Sequence, residues 1–304
     1  MPRHACVTLF ALCCCAPALA QVTFDFRPVG FAGNAPDPET GFGSVGYAYE
    51  ISSAEVTNAQ YVQFLNAKAQ SDPFGLYTPL MNAFFDGGIE RSGVDGSYTY
   101  SLVAGREQQS VRAVNFFNAM RFTNWLANGQ GAGDTETGAY TIADGLSETR
   151  TDGALYYLPT EDEWYKAAYF HPADQGGDAD DYWRYGYGAN DTPTPLVDAN
   201  VFNPGGGPNE AGDYDANFFG LFDVTGNLRE WTEGFNTLGS TRIVRGGSHA
   251  QVVTIGAATF RDVAPLGFQG DAGFRVVRVI PGPGGFSMIL GAAFVCVRRR
   301  RVSC

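Results

Sequence analysis

Gly220-Leu-Phe-Asp-Val-Thr-Gly-Asn-Leu-Arg-Glu-Trp231 is the stretch on which the reading of the fold turns. Its two glycines, Gly220 and Gly226, allow a positive φ or a close backbone approach. Asn227 and Glu230 set a carboxamide and a carboxylate three residues apart, with backbone carbonyls such as that of Leu228 between them. A calcium-type loop uses that mixture of carboxylate, amide and carbonyl oxygens. The same residues equally describe a tight turn that enters a strand, with Trp231 in the core. Two later stretches belong with this one: Arg245-Gly-Gly-Ser248 and Gly273-Phe-Arg-Val-Val-Arg278.

The chain has 304 residues. Without its two ends, about 260 remain, enough for one large domain with a substantial core. Glycine is abundant, at 39 residues, and aromatics make up 14%. That pairing suits a loop-rich fold pinned by buried rings, since disordered chains lack aromatics. The net charge is −12, but five of the 20 basic residues, Arg3 and Arg298–Arg301, lie at the ends, where there is no acidic residue. Residues 21–280 therefore hold 15 basic against 32 acidic residues, a balance of −17. Phosphate contacts need a basic face, so no nucleic-acid partner is expected. The acidity either draws divalent cations or serves solubility.

All six cysteines, Cys6, Cys13, Cys14, Cys15, Cys296 and Cys304, lie near the ends. The region between Cys15 and Cys296 thus has no disulfide, no thiolate metal site and no cysteine nucleophile. Residues 1–20 read as a signal peptide, with Arg3 and His4, an apolar run from Ala5 to Cys15, and a small-x-small Ala18-Leu-Ala20 cleavage pattern. Residues 281–304 read as a tail: Pro281-Gly-Pro-Gly-Gly285, then twelve uncharged residues from Phe286 to Val297, then four arginines. Twelve is short for a spanning helix, although flanking arginines can snorkel. A hydrophobic helix docked on the domain is the alternative. From these ends an exported protein is expected, in the cell envelope or extracellular, with the tail as the candidate membrane anchor and both ends engaging export and sorting machinery.

Between the ends, Val22-Thr-Phe-Asp-Phe26 alternates as a strand does. Thr57 and Gln60 form a capping box, stapled by Val56 and Tyr61, and open a helix that buries Tyr61, Phe64 and Leu65. A hairpin is expected around Gly93–Tyr100. A second helix runs from about Asn115 to Asn128, with Phe116, Ala119, Met120, Thr123 and Leu126 on one face and Gly129 as its stop. A third begins at Thr160, capped by Glu163, with Trp164, Ala167 and Ala168 inward. Glu161, Asp162 and Glu163 suit the positive end of its dipole, an acid/base pair being the alternative. Residues 171–219 form a long irregular region without an EF-hand spacing. His171 and His249, the two histidines of the domain, make no metal or triad pattern by spacing.

Gly220–Trp231, Arg245–Ser248 and Gly273–Val276 together resemble the formylglycine-generating enzyme, or sulfatase-modifying factor, family. Leu158-Pro-Thr-Glu-Asp-Glu-Trp164 and Glu55-Val-Thr-Asn-Ala-Gln-Tyr-Val-Gln-Phe64 resemble its upstream motifs. The match runs in family order from about residue 45 to 280. It implies the family's α+β variant of the C-type lectin fold, loop-rich and in a single domain over residues 21–280. Ala199-Asn200-Val201 is similar to a family segment that supplies an amide and a carbonyl to a structural calcium. The expected calcium set is therefore Asn200, Val201, Gly226, Asn227, Leu228 and Glu230. The tail resembles the PEP-CTERM class of bacterial sorting signals, though it reads Pro281-Gly-Pro283 and not Pro-Glu-Pro.

The family's activity oxidises a substrate cysteine to formylglycine, with copper held by two cysteines after Arg-Gly-Gly-Ser. Here Ser248-His249 follows instead, His249 standing where the family has an aromatic, as Arg229 also does. Copper is not expected, because Cu(I) needs soft thiolates, and no catalytic residue is assigned. Two functions stay open. One is a non-catalytic binding module for a glycan, peptide or protein ligand. The other is an oxidoreductase of the same superfamily with different metal chemistry, which needs His171, His249 and a carboxylate to converge.

Overall fold

A computed structural model describes residues 21–280, apart from 84–85, 204 and 237–239. The signal-peptide and tail readings lie outside the described residues. Among the described residues no helix is long and apolar enough to cross a membrane.

Three capped helices follow from local sequence. Thr57 accepts from the Gln60 N–H while the Gln60 carboxamide accepts from the Thr57 N–H, and α1 spans Asn58–Lys68. Asn115 caps α2, Phe116–Ala127, by accepting from the Asn118 N–H. Thr160 and Glu163 close the second capping box at α3, Glu161–Tyr169. The three inward faces are buried as expected. Where α1 meets α2, Phe122 packs 5.3 Å from both Phe64 and Phe274.

The strands assemble from distant pieces. β1 (Phe26–Val29), β2 (Tyr49–Ser52), β5 (Tyr156–Tyr157) and β10 (Val277–Val279) form an antiparallel sheet in the order β1-β2-β10-β5. Ile51 lies opposite Val277, so the sheet joins the beginning and the end of the domain. A second sheet holds β6 (Arg229–Asn236), β7 (Thr241–Arg245), β8 (Asp262–Pro265) and β9 (Ala272–Gly273) in the order β8-β7-β6-β9, with β9 parallel to β6. The hairpin β3 (Ile89–Ser92) and β4 (Thr99–Leu102) stands where it was expected.

The first strand is displaced from its expected place. It covers Phe26–Val29 and not Val22–Phe26. Side-chain amides occupy the backbone of the alternating run: Gln130 bonds both the N–H and the C=O of Val22, and Gln60 donates to the Thr23 carbonyl.

Candidate functional site

The quoted stretch is a hub. Gly226 N–H donates to the Gly246 carbonyl at 2.8 Å, and Asn227 N–H to the Asn200 carbonyl at 2.8 Å. The Asn227 carbonyl accepts from both the N–H and the ring Nδ1 of His249, at 2.8 and 2.9 Å. That second bond assigns the Nδ1–H tautomer, since a carbonyl cannot donate. The Asn227 carboxamide donates to Glu55 at 2.9 Å and to Ser110 at 3.1 Å, and accepts from the Asn209 N–H at 3.0 Å. So the Arg-Gly-Gly-Ser turn, the Asn200 segment and the start of α1 all meet on two residues.

Glu230 has a different setting. It is fully buried, and both its oxygens accept from Arg275 at 2.6 Å, in the bidentate fork that suits arginine. Trp164 donates to it as well, at 2.8 Å. Arg275 also donates to the Ser52, Ser53 and Phe222 carbonyls and lies 3.9 Å from Glu55. Burial works against the arginine charge, but Glu230, Glu55 and Asp223 more than offset it, so its pKa lies above the ordinary arginine value. Burial, with Glu230 and Asp223 nearby, pushes Glu55 well up.

The six residues expected around calcium are therefore gathered only in part. Asn200, Val201, Gly226 and Asn227 touch one another through the bond from Asn227 N–H and the 2.3 and 2.6 Å that a Gly226 Cβ would leave to the Asn200 carbonyl and to Val201 Cγ1. Glu230, tied to Arg275, does not fit a calcium ligand in this arrangement. Copper does not fit either: no thiolate exists between Cys15 and Cys296.

Beside the hub lies a polar patch. Arg229 pairs with Asp271 and reaches Asp262 at 3.4 Å, with its guanidinium over the Phe268 ring at 4.4 Å. Ser248 donates to the other oxygen of Asp271. Ser248 thus bonds a carboxylate and His249 bonds a backbone carbonyl, so the two do not form a nucleophile–base pair. His171 lies in other company, stacked 4.2 Å from Phe218 and accepting from Trp183. Among the described residues no three His, Cys, Asp or Glu side chains are placed to hold one metal ion. The first-turn acids of α3 have structural partners: Glu161 pairs with Arg245 and Arg261, Asp162 accepts from the Gly43 N–H, and Glu163 binds Arg150 and Tyr47.

Glu233, further along β6, was not singled out by sequence. It is 9% exposed, accepts from Tyr140 at 2.6 Å, and burial raises its pKa to about 7. From about pH 4.5 to 7 the folded state keeps a proton that the unfolded chain has released. Its contribution to stability therefore falls as pH rises through that window, on the order of 3 kcal/mol in all. Glu233→Gln should remove this slope and be more stable relative to wild type at pH 8 than at pH 5. Chemical denaturation at both pH values reads the difference. An equal gap at both would return Glu233 to an ordinary carboxylate.

A loop-rich α+β domain with its motifs converging on one hub defines a C-type-lectin-like domain of the formylglycine-generating type. The chain belongs to the sulfatase-modifying factor family: residues 36–280 match the profile described as a sulfatase-modifying factor enzyme 1-like domain. Solved structures share the fold. Treponema denticola variable protein 1 is 20% identical, with a TM-score of 0.57 over 84% of this chain and 95% of that one. CarF is 23% identical, with a TM-score of 0.54 over 85% and 99%. PvdO from Pseudomonas aeruginosa is 18% identical, with a TM-score of 0.50 over 84% and 92%. None of the curated proteins compared with the chain matches it.

Proposed function

We propose that this protein is an exported, envelope-associated binding module that uses the sulfatase-modifying factor scaffold without its cysteine chemistry. One observation carries the reading: there is no cysteine from residue 16 to residue 295, where the family's copper-holding pair belongs. The residues at that place are committed elsewhere, Ser248 to Asp271 and His249 to Asn227. The patch of Arg229, Asp262, Asp271 and Phe268, paired within itself and only partly exposed, is a polar surface next to the hub that suits a polar glycan, peptide or protein ligand. Export rests on the leader-like residues 1–20, and anchoring on residues 281–304. The test is incubation with copper, oxygen and a sulfatase-motif peptide, read by mass spectrometry. The peptide cysteine is expected to keep its mass, and conversion to formylglycine would sink the reading.

Calcium belongs to this proposal at the Asn200–Val201 end only. There the buried Asn200 side-chain oxygen accepts, among the described residues, one long contact, 3.4 Å from Asn203, which leaves a lone pair for a hard cation. A bound ligand at 100-fold over its Kd stabilises by about 2.7 kcal/mol. Calcium should raise Tm and a chelator lower it, with Asn200→Ala abolishing the difference. A Tm indifferent to both removes calcium from the account.

A further inference from the structure

Next to the hub a small cleft opens between the loops around residues 186–199 and 214–225. Its interior measures about 10 Å³, room for one water-sized group, and its mouth is open to solvent. That seats the head of a ligand and not a drug-sized molecule. Tyr187, Tyr214 and Leu221 supply its walls, and Asp198, Asp215 and Asp223 its charge.

Asp223 is the unusual member. It is only 8% exposed, yet its Oδ2 has no hydrogen-bond partner. Its other oxygen accepts from the Asn209 carboxamide at 3.0 Å. A buried carboxylate oxygen left without a donor is expensive, and a native fold completes such an atom with water, an ion or a ligand. Arg275, whose charge acts on Asp223, is already held by Glu230 and by three carbonyls.

We propose that this cleft binds a primary ammonium group, with Asp223 Oδ2 as its counter-ion and acceptor. Three observations choose the ammonium. A guanidinium asks for both carboxylate oxygens, and here one is taken by Asn209. A divalent ion asks for six or more oxygens, and the three aspartates are not placed to share one metal. An ammonium head is of water size and needs a single acceptor at its tip, and its methylene stem can leave past the half-buried Tyr187 and Tyr214. The ligand class is thus a lysine side chain of a peptide or a free alkylammonium. The inference stands whether or not the domain is catalytic.

Titration supports the geometry. Burial raises Asp223 to about 6, with Asp213 and Glu230 also raising it and Asn209 and Arg275 lowering it, while the Tyr214 ring feels the same carboxylate. Only the ionised form attracts an ammonium, so binding should tighten between pH 5 and pH 7.5.

The test uses the whole protein and two probes, n-butylammonium and N-acetyl-lysine methylamide, followed by NMR shifts at constant ionic strength. Both probes should saturate at pH 7.5, with the shifts centred on Asp223 and Tyr214, and bind about ten-fold more weakly at pH 5. Tighter binding of the lysine amide identifies a peptide ligand, and equal binding a free amine; either supports the cleft. Asp223→Asn keeps the acceptor for Asn209 and tolerates the left-handed backbone at φ 60°. It should fold with a near-native melt and lose about ten-fold in affinity. Tyr214→Leu, which leaves the carboxylate in place, should weaken the probes by a smaller factor. Unchanged affinity in Asp223→Asn overturns the proposal. So do equal shifts with tetramethylammonium, which has no N–H to donate, or displacement of the probes by calcium.

Discussion

Arg275→Met should lower the folding stability by about 3–5 kcal/mol, the usual loss when one partner of a buried ion pair is removed. The reason is local and specific. The arginine is fully buried and holds both oxygens of Glu230, and three backbone carbonyls point at it. Without it Glu230 and Glu55 face each other in the core with no cation between them, and burial already drives Glu55 toward its protonated form. Arg275→Lys should recover little, because an ammonium cannot reproduce the fork. Glu230→Gln should be milder than Arg275→Met, since Glu55 remains near the arginine at 3.9 Å. Urea denaturation of the three variants gives the order. A midpoint for Arg275→Met equivalent to within about 1 kcal/mol of wild type, outside the range for such pairs, would show that the pair does not hold the hub. It would also reopen Glu230 as a residue free to take a metal.

That pair shows where the sequence is legible and where it is not. Helix ends are written within four residues, so the capping boxes at Thr57 and Thr160 could be read directly and stand in the structure. The family motifs carried the architecture, α+β with short strands. Pairing between remote strands has no local signature: nothing near Ile51 announces Val277. Glu230 offered a carboxylate whose partner lay 45 residues away. The partner sat inside Gly273–Arg278, a stretch already singled out, but no spacing rule joins the two. Asp223 lay unremarked within the opening stretch. An aspartate between Phe222 and Val224 is a buried-polar signal only once its neighbours are known to be packed. The run Val22–Phe26 failed as a strand for the opposite reason, because distant glutamine side chains took its backbone groups.

The hub's second weak point is a glycine. Gly226→Ala should cost on the order of 2–4 kcal/mol. Gly226 has φ 86°, so a side chain is strained there in any case. The larger part is steric. A Cβ would stand 2.3 Å from the Asn200 carbonyl oxygen and 2.6 Å from Val201 Cγ1. The first contact is with backbone, which cannot rotate away. Relief requires moving either the Asn200 loop or the Gly226 turn, and each is tied to the other by the Asn227-to-Asn200 bond and to the Arg-Gly-Gly-Ser turn by the Gly226-to-Gly246 bond. Gly220→Ala is the matched control. Its φ is 79°, nearly the same, but the nearest atom is Arg27 Cδ at 3.4 Å, on an exposed and flexible side chain. It should therefore cost only the backbone term, about 1 kcal/mol. The difference between the two alanines isolates the contact that binds the Asn200 loop to the hub. Equal losses would mean that the positive φ alone matters at Gly226. In that case the close approach of Asn200 is slack the loop can take up, and the calcium proposed at Asn200 would have no rigid frame to bind.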